Sequence, residues 1–233
     1  MTAPRIAVIG NGKMGRLIAA LAGEQGVVVA AVLGRDDVSY KGITRDALGG
    51  ADVAIEFTAP SSAAANVRAC LAAGCAVVCG TTGWDAERAA VEDEVRQGSG
   101  ALLWAPNFSL GVHLFTTIVA EAARRARAAG FDAHLVETHH VAKKDAPSGT
   151  ARLIADAAER AAGAPVPITS VRVGSVPGTH EVIFDAPFEQ LRLVHEARDR
   201  RVFALGALVA ARWIVGRRGL FSLDDVVTSP GGA

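Results

Sequence analysis

The sequence predicts an α/β chain: a parallel sheet flanked by helices, followed by a second, α+β domain with a mixed sheet. Three observations carry this. Apolar, β-branched runs alternate with helix-period segments as far as Trp104. After Asn107 the rhythm changes to long helices and consecutive strand-like runs. Between the first strand and the first helix stands Gly10-Asn-Gly12-Lys-Met-Gly15, a turn that belongs between those two element types.

Arg5-Ile-Ala-Val-Ile9 reads as a buried strand and Lys13 to Gly23 as a helix with apolar residues at helical spacing. Val27 to Leu33 is β-branched enough for a strand buried on both faces. Asp52 to Phe57 is a strand, Ser61 to Ala73 an Ala-rich helix, Ala76 to Cys79 a strand, Asp85 to Gln97 a helix and Ala101 to Trp104 a fifth strand. Such βαβα order makes a parallel sheet with helices on both faces. In the second half a helix runs from Gly111 to Ala129 and is capped by Gly130. Ala133 to Thr138 is a strand, Ser148 to Ala162 a helix, and Ile168 to Val173, Thr179 to Ala186 and Gln190 to His195 are strands separated by Gly/Pro or polar turns. A last helix, Ala204 to Val215, is expected to pack back on the first domain, and the tail Ser229 to Ala233 to fray.

The 233 residues suffice for one large or two small cores. Lys plus Arg and Asp plus Glu both number 24, so no net field draws in nucleic acid or an anionic membrane. Only four apolar residues separate Arg5 from Gly10, too few for a secretory core, and the apolar run from Phe203 to Val215 is short of a span. A cytoplasmic location is expected. Cys70, Cys75 and Cys79 are an odd number without zinc-ribbon spacing, as small buried hydrophobes in a reducing compartment would be.

In the glycine turn, Gly10 permits the tight bend, Gly12 lets backbone approach a diphosphate, and Gly15 allows close helix–strand packing. Asn11, Lys13 and Met14 complete the loop, whose following helix offers free N–H groups to an anion. The chain therefore reads as a dinucleotide binder. At the end of the second strand an acid would hold the ribose hydroxyls and an arginine a 2′-phosphate. Gly34 stands there, followed by Arg35, Asp36 and Asp37, a pattern that leans towards NADPH or dual use while Asp36 can still serve NADH. Gly80-Thr81-Thr82-Gly83 and Ala105-Pro106-Asn107-Phe108-Ser109 follow strands at the end where open α/β sheets bind ligands, so both loops are candidate cofactor contacts.

The densest chemistry is Glu137-Thr-His-His-Val-Ala-Lys-Lys-Asp-Ala-Pro-Ser-Gly-Thr-Ala151. His139, His140 and Lys143 supply proton donors and positive charge. Ser148 reads as an N-cap and a candidate substrate contact, and the N–H groups of Gly149 and Thr150 then face an anion at the positive end of a helix. A carboxylate or a phosphate would fit. Lys144 reads as a surface charge and Asp145 as a turn-former or ion-pair partner. No metal is expected: adjacent ligands on an extended segment point to opposite sides, so His139 and His140 do not share an ion.

The run His139-His140-x-x-Lys143-x-Asp145-Ala-Pro-Ser-Gly-Thr-Ala151 resembles the signature of the 4-hydroxy-tetrahydrodipicolinate reductase family, also called dihydrodipicolinate reductases. The resemblance extends through Gly10–Gly15, Gly80–Gly83, Asn107–Gly111, Arg172-x-Gly174, Gly178-x-His180, His195-x-Ala197, Arg200, Phe203-x-x-Gly206-Ala207 and Gly219–Val226, essentially the whole chain. It implies a Rossmann-like dinucleotide-binding domain from 1–108 plus 204–233, and an α+β domain, 109–203, that binds substrate and builds a homotetramer. It further implies that His139 and Lys143 handle protons and that His140, Gly149 and Thr150 bind the carboxylates of a small cyclic imine. Gly80 to Thr82 and Ala105 to Phe108 would line the nicotinamide. The stretch between Arg35 and Asp52 is short for the family, and Gly34 replaces its acid.

The reaction so implied is NAD(P)H-dependent reduction of the conjugated imine in lysine/diaminopimelate biosynthesis, with loss of the 4-hydroxyl as water. His139 and Lys143 both remain candidates for the proton donor. Two other readings compete. A related amino-acid dehydrogenase would have to explain the His-His-x-x-Lys pair and the Ser-Gly-Thr helix start with another substrate. A dinucleotide-sensing regulator would need no proton donors and would carry a partner-binding module, and no basic DNA-reading segment is visible.

Overall fold

The computed structural model describes residues 2–229, without the side chains of residues 39–41. These residues form two compact units, one running to Phe108 and resuming at Phe203, the other Ser109–Val202. The expected fraying of the tail falls mostly on Pro230–Ala233, outside the described residues.

The first unit is a six-stranded parallel sheet, β1 (Arg5–Ile9), β2 (Val28–Leu33), β3 (Val53–Glu56), β4 (Ala76–Cys79), β5 (Ala101–Trp104) and β10 (Gly219–Phe221), in the order β10-β5-β4-β3-β1-β2. Ile6 to Ile9, Val53 to Ile55 and Val77 to Cys79 are fully buried, as a sheet covered on both faces demands. The helices that cover it are α1 (Lys13–Leu21), α2 (Arg35–Lys41), α3 (Pro60–Ala72), α4 (Asp85–Gln97), the later part of α7 (Arg201–Ile214) and α8 (Leu223–Thr228). Gly206 on α7 packs so close that a Cβ there would lie 1.7 Å from the Phe108 carbonyl oxygen. Strand order reverses between β1 and β3, and such a switch point opens a crevice at the carboxyl ends of the strands.

Three of these elements are absent from the sequence reading. α2 lacks apolar periodicity but is started locally, the Gly34 N–H donating to Asp37 Oδ2 at 2.9 Å. β10 is three residues long, too short to show a period, and is a strand because β5 pairs with it in register. α8 is a single short turn of helix held at its start by Asp225, which accepts from Ser222 N at 2.7 Å.

The second unit is a mixed four-stranded sheet in the order β7-β6-β8-β9, with β6 (Asp132–His139) parallel to β7 (Ile168–Arg172) and antiparallel to β8 (Thr179–Ala186), itself antiparallel to β9 (Glu189–Glu196). α5 (Leu110–Ala128) and α6 (Gly149–Ala162) cover one face. Phe115, Val119 and Ala123 of α5 meet Ile154, Ala155 and Ala158 of α6 over Leu135, Val182 and Phe184 of the strands. Gly130, at φ +85°, ends α5 as expected. None of the described helices is long and apolar enough to cross a membrane.

Candidate active site

In the first unit a cavity of ≈ 730 Å³ opens at the carboxyl ends of β1, β2 and β3. Gly10, Asn11, Gly12 and Arg35 line it, as do Asp36 and Thr58. Two of the glycines are required by the packing. Gly10 holds φ +107°, and a Cβ on it would sit 2.1 Å from the Phe57 carbonyl oxygen. A Cβ on Gly15 would sit 1.7 Å from Gly10 O, so only glycine lets α1 rest against the loop, while Gly12 faces open space. No side chain caps the N-terminus of α1. A crevice with bare backbone at a helix start fits a dinucleotide diphosphate.

The other expected cofactor contacts stand outside that cavity's lining. Lys13 and Met14 are the first residues of α1. Thr81 is turned inward: its Oγ1 accepts from Thr58 N at 2.8 Å, and its carbonyl accepts from Trp84 Nε1 at 2.8 Å and Trp104 Nε1 at 3.0 Å. Those bonds fix the Gly80–Thr82 turn, leaving Thr82 exposed. A Cβ on Gly80 would overlap the Phe57 ring at 2.2 Å. Ala105 and Phe108 are buried, Phe108 against the Phe57 ring at 5.8 Å between centroids, so this loop presents Pro106 and Asn107 rather than its apolar ends. Asp37, counted with the residues following Gly34, is occupied at the start of α2.

Sequence reasoning passed over Glu56. It ends β3, fully buried, and accepts from Thr58 Oγ1, from Asn66 Nδ2 at 3.3 Å and from Cys79 Sγ at 3.3 Å. The carboxylate thus gathers the loop after β3, the helix α3 and the end of β4 behind the cavity. Burial pushes the thiols of Cys70 and Cys79 far above their ordinary range, so all three free, buried cysteines act as packing groups.

The reactive loop lies in the second unit, between β6 and α6. His139 is the last residue of β6 and is buried, whereas His140, just beyond the strand, is half-buried on another side. Lys143 Nζ donates to Asp145 at 2.8 and 3.0 Å, so Asp145 is the ion-pair partner, and Lys144 is exposed. Ser148 is the N-cap of α6, its Oγ accepting from Ala151 N at 3.1 Å. Gly149 is exposed beside it, with nothing within 4 Å of where a Cβ would stand.

Around His139 the strands assemble a polar cluster that sequence reasoning missed, although strand alternation marks Glu137 as sharing its face. Glu137, fully buried two residues earlier on the same face of β6, accepts from His139 Nδ1 through Oε2. Its Oε1 accepts from Arg172 Nη2 at 2.7 Å and from the Ser148 N–H at 3.3 Å. Arg172, beside His139 on β7, also donates to the Asp145 carbonyl at 2.6 Å. His180 sits opposite Glu137 on β8, its ring edge-on to that of His139 at 5.4 Å and its Nε2 3.4 Å from Ser148 Oγ. His195 continues the row on β9, opposite His180.

Electrostatics follow from this packing. Burial favours the neutral acid at Glu137, yet hydrogen bonds from Arg172, Ser170 and His139 outweigh it and hold the carboxyl below its ordinary range. Burial lowers His139 in spite of its bond to Glu137. Burial, with His139 next to it, lowers His180 to about 4. His139 is therefore neutral near pH 7, its single proton on Nδ1, leaving Nε2 without a hydrogen bond among the described residues. Glu137, His139 and His180 bring ligand-type atoms within 4.8 Å of one another, a spacing a divalent ion could bridge. The Arg172 guanidinium already supplies the positive charge that a cation would bring to this carboxylate.

A parallel sheet with a glycine-rich switch-point crevice, joined in one chain to a histidine, a lysine and a Ser148-capped helix start, defines a dinucleotide-dependent oxidoreductase. The family model for the N-terminus of dihydrodipicolinate reductase matches residues 4–108 and that for its C-terminus residues 111–227, so the chain belongs to the dihydrodipicolinate reductase family. It is 41% identical over 231 residues to the 4-hydroxy-tetrahydrodipicolinate reductase of Xanthomonas euvesicatoria, covering 93% of this chain and 94% of that one. With the enzyme of the same name from Methanosarcina mazei it shares 41% over 196 residues, 76% of this chain and 73% of the other. The dipicolinate-bound dihydrodipicolinate reductase from Paenisporosarcina sp. TG-14 superposes with a TM-score of 0.79 at 22% identity, over 94% of this chain and 97% of that one. An aspartate dehydrogenase from Thermotoga maritima reaches a TM-score of 0.51 at 11% identity, a likeness of fold alone.

Proposed function

We propose that this chain reduces 4-hydroxy-tetrahydrodipicolinate to tetrahydrodipicolinate with NAD(P)H, releasing water, in lysine/diaminopimelate biosynthesis. The observation that carries the reading is the His139–Lys143–Ser148 loop, with its proton-handling side chains leading into the start of α6, in a chain of this family. The first unit takes the dinucleotide and the second the substrate.

Gly10, Gly12 and the start of α1 hold the diphosphate, and Arg35 and Asp36 face the ribose end of the same cavity. An arginine with no acid at position 34 suits NADPH or both cofactors. When bound, NAD(P)H would supply a hydride to C4 of the conjugated imine that forms once the 4-hydroxyl and a C5 proton have left as water. In this reading the N–H groups of Gly149, which Asp145 also uses, and of Thr150 orient a substrate carboxylate at the positive end of α6, with His140 as a further contact. Ser148 spends its hydroxyl on the cap, so its part is to keep those amides aimed outward.

A proton must reach the enamine carbon that hydride addition leaves. Lys143 is the donor in this reading: its ammonium is held by Asp145, and His139 has committed its one proton to Glu137. The free His139 Nε2 then accepts and passes on protons at the same centre. The sheet face away from α5 and α6 exposes Val171 and Val194 beside the Arg192–Glu181 ion pair, which supports self-association, here to a tetramer. The test is cofactor oxidation followed at 340 nm, with the substrate made in place by the synthase that condenses pyruvate with aspartate semialdehyde. Oxidation that depends on the synthase is expected. None with either cofactor, from folded protein that binds dinucleotide, would return the amino-acid dehydrogenase and regulator readings.

A further inference from the structure

We infer that Glu137, clamped by Arg172, is the positioning residue of the reaction: it fixes the His139 tautomer and holds both ends of the reactive loop in register. The inference rests on the reading of His139 as a proton-handling group. Three segments that carry the chemistry converge on this one ion pair. Glu137 Oε2 takes the His139 Nδ1 proton, which presents Nε2 as the free ring nitrogen. Glu137 Oε1 accepts from the Ser148 N–H at 3.3 Å, tying down the N-cap of α6. Arg172 Nη2 bridges Glu137 Oε1 at 2.7 Å and the Asp145 carbonyl at 2.6 Å, anchoring the segment between, in which Lys143 pairs with Asp145.

Two features separate this from an incidental buried salt bridge. Glu137 has no exposure at all, so every carboxylate lone pair must be met inside the protein, and its partners are His139, the Ser148 N–H of the reactive loop, Arg172 and its β7 neighbour Ser170. The pair is also assembled from neighbouring strands: Arg172 lies directly beside His139 on β7, and Ser170 beside Glu137. β6 thus delivers the carboxylate and the imidazole to one face at a two-residue spacing, which a strand alone can do. A buried carboxylate that orients an imidazole and stabilises its charged form serves many acid–base sites.

Glu137→Gln tests it, because the amide keeps an oxygen for Arg172 and Ser148 but can offer an N–H to His139 Nδ1, reversing the tautomer. Imidazole ¹⁵N NMR should show His139 protonated at Nδ1 in the native protein and at Nε2 in the variant. kcat should fall about 10- to 100-fold, KM for the dinucleotide should be unchanged, and the pH dependence of kcat should shift. Arg172→Met should lower kcat and raise KM for the imine. Native His139 found protonated at Nε2 would overturn the inference without any variant, and so would a Glu137→Gln enzyme with native kcat and tautomer while His139→Ala is impaired. A tautomer that reverses on Glu137→Gln in an enzyme indifferent to His139→Ala would leave the clamp standing and sink the role given to His139.

Discussion

The amide of Asn11 lies over Gly34, where a Cβ would meet Asn11 Nδ2 at 2.5 Å and Cγ at 3.0 Å. The position that carries an acid in many dinucleotide binders is thus covered here by a neutral side chain from the glycine loop. Asn11 is exposed and its amide can swing aside, so an acid at 34 is structurally tolerable. Gly34→Asp is expected to raise kcat/KM for NADH relative to NADPH by about tenfold, through hydroxyl binding and repulsion of a 2′-phosphate. Steady-state kinetics with each cofactor check it; an unchanged ratio would show that Arg35 and Asp36 do not face the ribose.

Lys143 and Lys144 are neighbours in sequence and differ in surroundings. Lys143 is paired with Asp145 at the loop Arg172 anchors, and Lys144 is exposed. Lys143→Ala should reduce kcat by about 10²- to 10⁴-fold and Lys144→Ala by less than about twofold. Equal, small losses at the two sites would remove Lys143 from the proton-transfer step.

His180 makes the fold acid-sensitive. Its folded value, about 4, lies below its ordinary 6.5, so between those limits the unfolded chain binds the extra proton. Stability is fully present above about pH 6.5 and is lost as pH falls towards 4, by about 3 kcal/mol for this one buried ring. Urea titrations of the native protein and of His180→Phe at pH 7 and pH 4.5 should show the variant losing less stability across the interval. Identical pH slopes would refute the assignment.

Two glycines give opposite expectations. An alanine methyl at Gly206 would strike the Phe108 carbonyl at 1.7 Å, backbone that cannot yield, whereas Gly149 faces open space. Gly206→Ala should cost about 3 kcal/mol or more of stability. Gly149→Ala should leave the melting temperature within a degree or two and raise KM for the imine, since its methyl enters the space before the helix start. Calorimetry and kinetics on the pair decide both.

Much of the site was legible because it is local. The glycine loop, the Ser148 cap and the His139–Lys143 spacing lie on contiguous segments, where backbone geometry translates spacing into placement. Glu137 could have been found from the same segment, since alternation puts it on the face of His139. Arg172, His180 and His195 stood in the stretches that resembled the family, but nothing in their own neighbourhoods marks them. That Thr81, Ala105 and Phe108 are the inward-turned residues of their loops was not legible, because a loop's position at a strand end says nothing about which of its residues turn inward.

By itself the sequence determined the parallel and mixed sheets, the glycine loop at the switch-point crevice and the residue types of the reactive loop. Each is written as a period, a cap or a glycine whose physics acts over a few neighbouring residues. Only the tertiary structure decided that Glu137 is held by an arginine 35 residues away, that His180 stands edge-on to His139, and that β10 exists. Strand register makes those choices, and register is fixed by the burial of side chains far apart in the chain.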